Sequence, residues 1–214
     1  MYKRMNEQLQ KEGAMALVTG ASSGIGLAYA RELARRGYDL LLVSNEQERI
    51  GTVAEELAAA FGVKTIPLCM DLARSEAARE LYDYCEREKL QIGILVNNAG
   101  IFFFDDLTEV APERIETMLL LHIRTVTLLC RYFGAAMKRR RAGYILNMSS
   151  LSAWTPAPGI SVYAASKSYI RKFSQMLRYE LHQYGVGVTT VCPGAIATGL
   201  YNLSDYYQRL ALRL

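Results

Sequence analysis

The feature that most constrains this chain is a series of short apolar runs that mostly lack polar alternation, each separated from the next by a stretch of helical periodicity. Ala14 to Val18, Asp39 to Val43, Val63 to Met70, Ile92 to Val96, Tyr144 to Met148 and Val186 to Val191 read as strands. A strand that is apolar on both sides is buried on both faces, as in a parallel sheet covered by helices. Between the strands, Ile25 to Arg36, Asn45 to Phe61, Ser75 to Lys89, Pro112 to Met137 and Val162 to Tyr184 carry helical spacing. Alternating β and α segments imply right-handed crossovers, and so an α/β fold with a doubly wound parallel sheet between two helical layers. Local punctuation agrees. Gly37 stands where a left-handed C-terminal cap is favoured, and Phe61-Gly62 closes the second helix. Asn45 followed by Glu48 predicts a capping box, and Pro112 opens its helix where a missing N–H costs nothing. No internal repeat or Gly/Ser linker interrupts the pattern, so residues 1–214 read as a single domain with a polar lead segment at 1–12.

With 51% hydrophobic and 21% charged residues, the chain is neither low-complexity nor disordered, and 214 residues can bury a core without disulfides or metal. A formal net charge of +4 is too mild to argue for nucleic acid. The one tight basic cluster, Lys138 to Arg141, reads as a solvated helix end where cations suit the dipole. Cys69, Cys85, Cys130 and Cys192 are isolated from one another, and with only His122 and His182 as co-ligands they carry no zinc spacing, so no metal is expected. No apolar stretch reaches the ~18 residues that a membrane span needs. The first thirteen residues lack a secretory core. The expectation is a soluble, cytoplasmic protein.

Gly20, Gly24 and Gly26 lie in TGASSGIG, directly between the first strand and the first helix. Glycines there let the backbone approach a pyrophosphate, and the helix N-terminus offers free N–H donors and the positive end of its dipole. Ser22 and Ser23 add hydroxyl donors, with Ile25 opening the helix. The position after a first strand, inside a βαβ unit, turns a weak glycine pattern into a dinucleotide signal. Further along, Tyr163 and Lys167 stand at i and i+4 of a helix and share a face. A phenol titrating near 10 is a poor proton donor at neutral pH. An ammonium about 4 Å away stabilises the phenolate by up to ~4 kcal/mol at an effective dielectric of 20, before desolvation opposes it. Ser150 falls at the end of the fifth strand, where open α/β sheets bind ligands, and Ser149 is its rival.

TGASSGIG, NNAG at 97–100, Tyr163-Ala-Ala-Ser-Lys167 and Pro193-Gly194, in that order, resemble the short-chain dehydrogenase/reductase family over nearly the whole chain. The flavour is closest to carbonyl, 3-oxoacyl and steroid reductase members. The resemblance implies a Rossmann-type fold and hydride transfer between a nicotinamide and a carbonyl or secondary alcohol. In that scheme Tyr163 is the acid/base, Lys167 lowers its pKa and binds the ribose, and Ser150 orients the carbonyl. It further places Asp71 and Leu72 at the adenine, and Asn97, Ala99 and Gly100 along the adenosine ribose. Pro193, Gly194, Ile196 and Thr198 fall at the nicotinamide end. Where the family usually carries Asn, 28 residues before Ser150, this chain has His122. That residue reads as a structural replacement, as a titrating relay member, or as a sign of weakened catalysis.

After the second strand neither a carboxylate for NAD nor an arginine for NADP stands at the two key positions, Ser44 and Asn45. Both can donate to a phosphate, and the reading leans to NADP(H) over NAD(H). Phe102 to Phe104, Trp154, Pro156 and Tyr201 are candidate walls for an apolar carbonyl or alcohol substrate. Family members are commonly longer, so the last strand and part of the substrate loop at 199–214 are expected to be missing. Leu203 to Leu214 could form one amphipathic helix. The two long helices are the surfaces relatives use to pair, which implies a homodimer or homotetramer. A second function class, a dinucleotide-binding sensor or scaffold without turnover, is kept open by His122 and the short C-terminus.

Overall fold

A computed structural model describes Leu9, residues 13–155 and residues 157–194. Among these residues six strands, β1 Met15–Thr19, β2 Leu40–Ser44, β3 Thr65–Cys69, β4 Ile92–Asn97, β5 Gly143–Met148 and β6 Val186–Val191, form one sheet in the order β3-β2-β1-β4-β5-β6. Every pairing is parallel. The helices are α1 Gly24–Arg35, α2 Gln47–Phe61, α3 Ala77–Arg87, α4 Pro112–Leu119, α5 Val126–Arg140 and α6 Ser161–His182. This is the Rossmann-type three-layer arrangement that the alternation of apolar runs and helices implies. β1, β2 and β4 are buried along their whole length. β3, at the sheet edge, has half-buried and exposed positions and none that is fully buried.

Each face of the sheet supports its own core. Leu17, Leu41, Leu95 and Ile145 pack under α3, α5 and α6 residues such as Leu81, Phe133 and Ile170. Val18, Leu40 and Leu42 pack on the other side against Ala30, Ile50 and Leu57. At roughly 25 cal/mol per Å² of apolar surface removed from water, this double burial is the main favourable term holding the layers together.

Two local expectations are corrected. Asn45 does not cap α2: the N-cap position falls at Glu46, with no side-chain cap bond. The Ser44 hydroxyl instead accepts from the Glu46 amide at 3.2 Å, closing a turn that delays the helix start. The long helix from Pro112 is not uniform either. A wide turn of π geometry, Leu120–Thr125, separates α4 from α5. Thr125 donates to the Leu72 carbonyl at 2.8 Å, tying this turn to the loop after β3. Side-chain periodicity does not resolve an insertion of one residue per turn, so the sequence reads straight through it. Gly62 takes the left-handed cap conformation, with φ +67.

Candidate active site

The phosphate-binding turn starts where β1 ends. Gly20 and Gly24 have φ of +64 and +54, which side-chain-bearing residues rarely adopt. Ser23 is the N-cap of α1 and makes no side-chain cap bond, so its hydroxyl leaves the first-turn amides unclaimed. Gly26 is glycine for a different reason: a Cβ there would meet the Gly20 carbonyl oxygen at 2.0 Å. Asn98 bolts the turn from the neighbouring strand end, donating to the carbonyls of Thr19 and Gly20 at 3.0 and 3.2 Å. Thr19 Oγ1 in return accepts from the amides of Asn98 and Ala99 at 2.9 and 3.0 Å. The ends of β1 and β4 are thus locked as one rim.

Above that rim lies a cavity of about 470 Å³. Gly20, Ser22, Ser23, Gly24, Ile25, Ser44, Asn45, Asp71, Leu72, Ala99 and Gly100 all line it. Gly26 lies beneath the turn. Asn97 does not line the cavity either. It is 5% exposed, and its Nδ2 donates to Asn147 Oδ1 at 2.8 Å inside the sheet layer. Successive strand residues face opposite ways, so Asn98, with its backbone already past the last ladder pair, faces the cavity instead. Ser22 and Ser44 share a hydroxyl hydrogen bond of 3.0 Å at one end of the cavity. Arg49 Nε donates to the Ser22 carbonyl at 3.0 Å, a contact for which no motif prepares the reader of the sequence.

Beyond the cavity wall, α6 delivers Tyr163 and Lys167 from one face, both buried; neither they nor Ser150 line the cavity. The Lys167 ammonium lies 5.5 Å from the centre of the Tyr163 ring and donates to the Met148 carbonyl at 3.1 Å. Burial lowers its pKa from 10.5 to about 8, so it still carries its proton at neutral pH. A Cβ built on Gly100 would sit 3.7 Å from Lys167 Nζ and 3.0 Å from His122 Nε2, which places both groups behind the cavity wall. Ser149 donates to the Lys167 carbonyl at 2.7 Å and so anchors α6. Ser150 is the N-cap of the short turn Leu151–Ala153, its Oγ accepting from the Ser152 amide at 3.2 Å.

His122 is 1% exposed, and both ring nitrogens are engaged. Nε2 accepts from the Ile101 amide at 3.0 Å. Nδ1 lies 2.9 Å from Ser166 Oγ, whose own proton goes to the Tyr163 carbonyl at 2.7 Å. With Ser166 already donating elsewhere, Nδ1 carries the proton and the ring is neutral. Burial first, and the Lys167 charge second, hold its pKa well below 6.5. The expectation of a group titrating near neutrality therefore finds no support in its surroundings.

Among the candidate substrate walls, Phe102 meets the Tyr163 ring edge-on at 5.0 Å and Phe103 is buried beside it. Phe104 and Trp154 are 68% and 60% exposed, with Arg171 stacked 3.8 Å from the Trp154 ring. The Pro193 carbonyl accepts from the Leu151 amide at 2.9 Å, bringing Pro193 and Gly194 next to Ser150. Ile196, Thr198, Tyr201, Pro156 and the 199–214 segment lie outside the described residues. Among the described residues no group of His, Cys, Asp and Glu could hold a metal, and no helix is long and apolar enough to cross a membrane.

A glycine cradle at the carboxyl edge of a parallel sheet, with a buried Tyr–Lys pair behind its wall at Gly100, defines a nucleotide-binding α/β protein. The comparisons make this specific: a family model described as short chain dehydrogenase matches residues 14–205, and the chain belongs to that family. A very-long-chain 3-oxoacyl-CoA reductase of Anas platyrhynchos is 37% identical over 90% of this chain and 62% of its own length. An inactive hydroxysteroid dehydrogenase-like protein 1 of Homo sapiens is 32% identical over 94% of this chain and 61% of its own length. The chain spans about three fifths of the length of the curated relatives it matches. Among solved structures, a short-chain dehydrogenase from Sphingobium yanoikuyae in complex with NADPH superposes with a TM-score of 0.84 at 34% identity. That superposition covers 88% of this chain and 73% of the other.

Proposed function

We propose that residues 1–214 form one domain that reduces a carbonyl, or oxidises the matching secondary alcohol, with NADP(H) in preference to NAD(H). The observation that carries this reading is the buried Lys167 ammonium, 5.5 Å from the Tyr163 ring centre and bordering the cavity at Gly100. The uncapped amides of α1 and the glycine turn suit a pyrophosphate, so the residues present fit the cofactor. When bound, the nicotinamide supplies or accepts the hydride.

The chain's own residues do the rest. Tyr163 gives its phenolic proton to the carbonyl oxygen, or takes it back in the other direction. Lys167 favours the phenolate by its charge, and its pKa of about 8 leaves that charge in place at neutral pH. Ser150 holds the carbonyl oxygen against Tyr163, while Ser149 is committed to the Lys167 carbonyl. Phe102, edge-on to Tyr163, keeps water from the proton-transfer path. His122 acts as a structural replacement for the family's Asn, joining the Ile101 amide to the start of α6. The exposed Phe104, Leu151 and Trp154 suit an apolar ketone, in keeping with the 3-oxoacyl-CoA and hydroxysteroid names of the relatives. Leu119, Tyr169 and Met176, exposed on the long helices, suit pairing of two copies.

The test is NADPH consumption with a panel of long-chain and cyclic ketones, comparing the parent with Tyr163→Phe. Loss of a proton donor lowers turnover by about 10²–10⁴-fold, with NADPH affinity retained. A Phe variant that reduces ketones at the parent rate would refute Tyr163 as the acid. A second reading, binding without turnover, is favoured by His122 and by the human relative named inactive. Tyr163-dependent turnover of any ketone eliminates it.

A further inference from the structure

We infer that Arg49, from the first turn of α2, reads the 2′-phosphate of NADP(H) and thereby sets the cofactor preference. This rests on the dinucleotide reading of the cavity and goes beyond it by naming the cation. The adenosine end of the cavity is lined by Ser22, Ser44, Asn45 and Glu46, and Asp71 lies further along the wall. The described lining therefore holds two carboxylates and neither lysine nor arginine. A phosphomonoester bound there needs a cation from just outside the wall.

Arg49 is so placed. Its Nε is fixed on the Ser22 carbonyl at 3.0 Å, and the Ser22 hydroxyl is in turn joined to Ser44 at 3.0 Å. The guanidinium is thus held against the rim by backbone, and no carboxylate pairs with it among the described residues. Arg35, Arg36, Arg74, Arg79, Arg87 and Arg124, by contrast, each pair with a glutamate or aspartate. The position also works against the helix: a cation in the first turn opposes the positive end of the dipole, a cost that an anionic ligand at the same spot would reverse. The planar fork keeps its remaining N–H groups available for two phosphate oxygens. The Ser22–Ser44 hydroxyl pair can turn its protons toward a third.

Binding, measured without substrate, separates this claim from the enzymatic one. NADPH, NADH, adenosine 2′,5′-bisphosphate and adenosine 5′-monophosphate are titrated calorimetrically into the parent, Arg49→Gln and Arg49→Lys, with thermal unfolding of each free protein as the fold check. The parent is expected to prefer each 2′-phosphorylated ligand over its counterpart. Arg49→Gln should weaken the two phosphorylated ligands by about ten- to hundredfold and leave the other two within about twofold. Arg49→Lys, which keeps the charge without the fork, should retain part of the preference. Equal weakening of all four ligands by Arg49→Gln would mean that Arg49 merely supports the turn, and would overturn the assignment. So would a parent that does not distinguish NADPH from NADH, or variants that both bind as the parent does. A parent that binds neither dinucleotide would overturn the underlying reading as well.

Discussion

Lys167 is built to work at a cost to the free protein, and that cost can be measured. Burial lowers its pKa from 10.5 to about 8. Two and a half pKa units correspond to about 3 kcal/mol of penalty for holding the charged form inside. Below pH 8 both the folded and the unfolded chain bind the proton, so the penalty is present in full. Between 8 and 10.5 the folded lysine releases its proton while the unfolded one keeps it, so the penalty fades and stability rises with pH. Lys167→Met keeps an unbranched apolar stem out to Cε, removes the charge, and gives up the 3.1 Å bond to the Met148 carbonyl, worth about 1 kcal/mol. The variant is therefore expected to be more stable than the parent by about 2 kcal/mol at pH 7, with the gap closing near pH 10. Urea unfolding of both proteins at the two pH values, with equal slopes, measures this difference, and titrating groups that do not feel the Lys167 charge cancel. A variant that is less stable at pH 7, or a gap that does not move with pH, would show that the ammonium is satisfied where it sits. If Lys167 serves Tyr163 as proposed, the stabilised variant should also be unable to reduce a ketone.

Gly26→Ala puts a methyl 2.0 Å from the Gly20 carbonyl oxygen, a backbone atom with no rotamer to yield. The expected loss is about 3 kcal/mol or more of stability, together with dinucleotide binding, and calorimetry that matches the parent would refute the packing. His122→Ala leaves the Ile101 amide and Ser166 without their partner and opens a cavity, costing about 2–4 kcal/mol in urea unfolding. Because burial holds the His122 pKa well below 6.5, the unfolded chain takes up a proton there that the folded one refuses. The parent should accordingly lose stability relative to His122→Ala as pH falls through about 6.5, and parallel stability curves would contradict a neutral buried ring.

How much of this was legible in the sequence depends on the range of the cause. The order of strands and helices could be read because burial on both faces removes polar residues from a strand and leaves an unmistakable apolar run. The glycine turn was legible because Gly20 and Gly24 answer to a local backbone conformation. The same holds for Tyr163 and Lys167, whose shared face follows from helical spacing alone. Other features depend on what arrives from far along the chain. Which of Asn97 and Asn98 faces the cavity is decided by where the ladder between β4 and β5 stops, and only the paired strands carry that information. The wide turn at Leu120–Thr125 is invisible to a period of 3.6, yet it belongs to the same stretch that carries His122 inward and ties Thr125 to Leu72. His122 read alone could be a titrating group; with Ile101, Ser166 and Lys167 around it, desolvation settles its protonation. Arg49 shows the same division, being an ordinary surface arginine in the sequence until folding carries it to Ser22. Local conformation and solvent exclusion were written residue by residue, whereas charge state and hydrogen-bond partnership were decided by the company that the tertiary structure brought together.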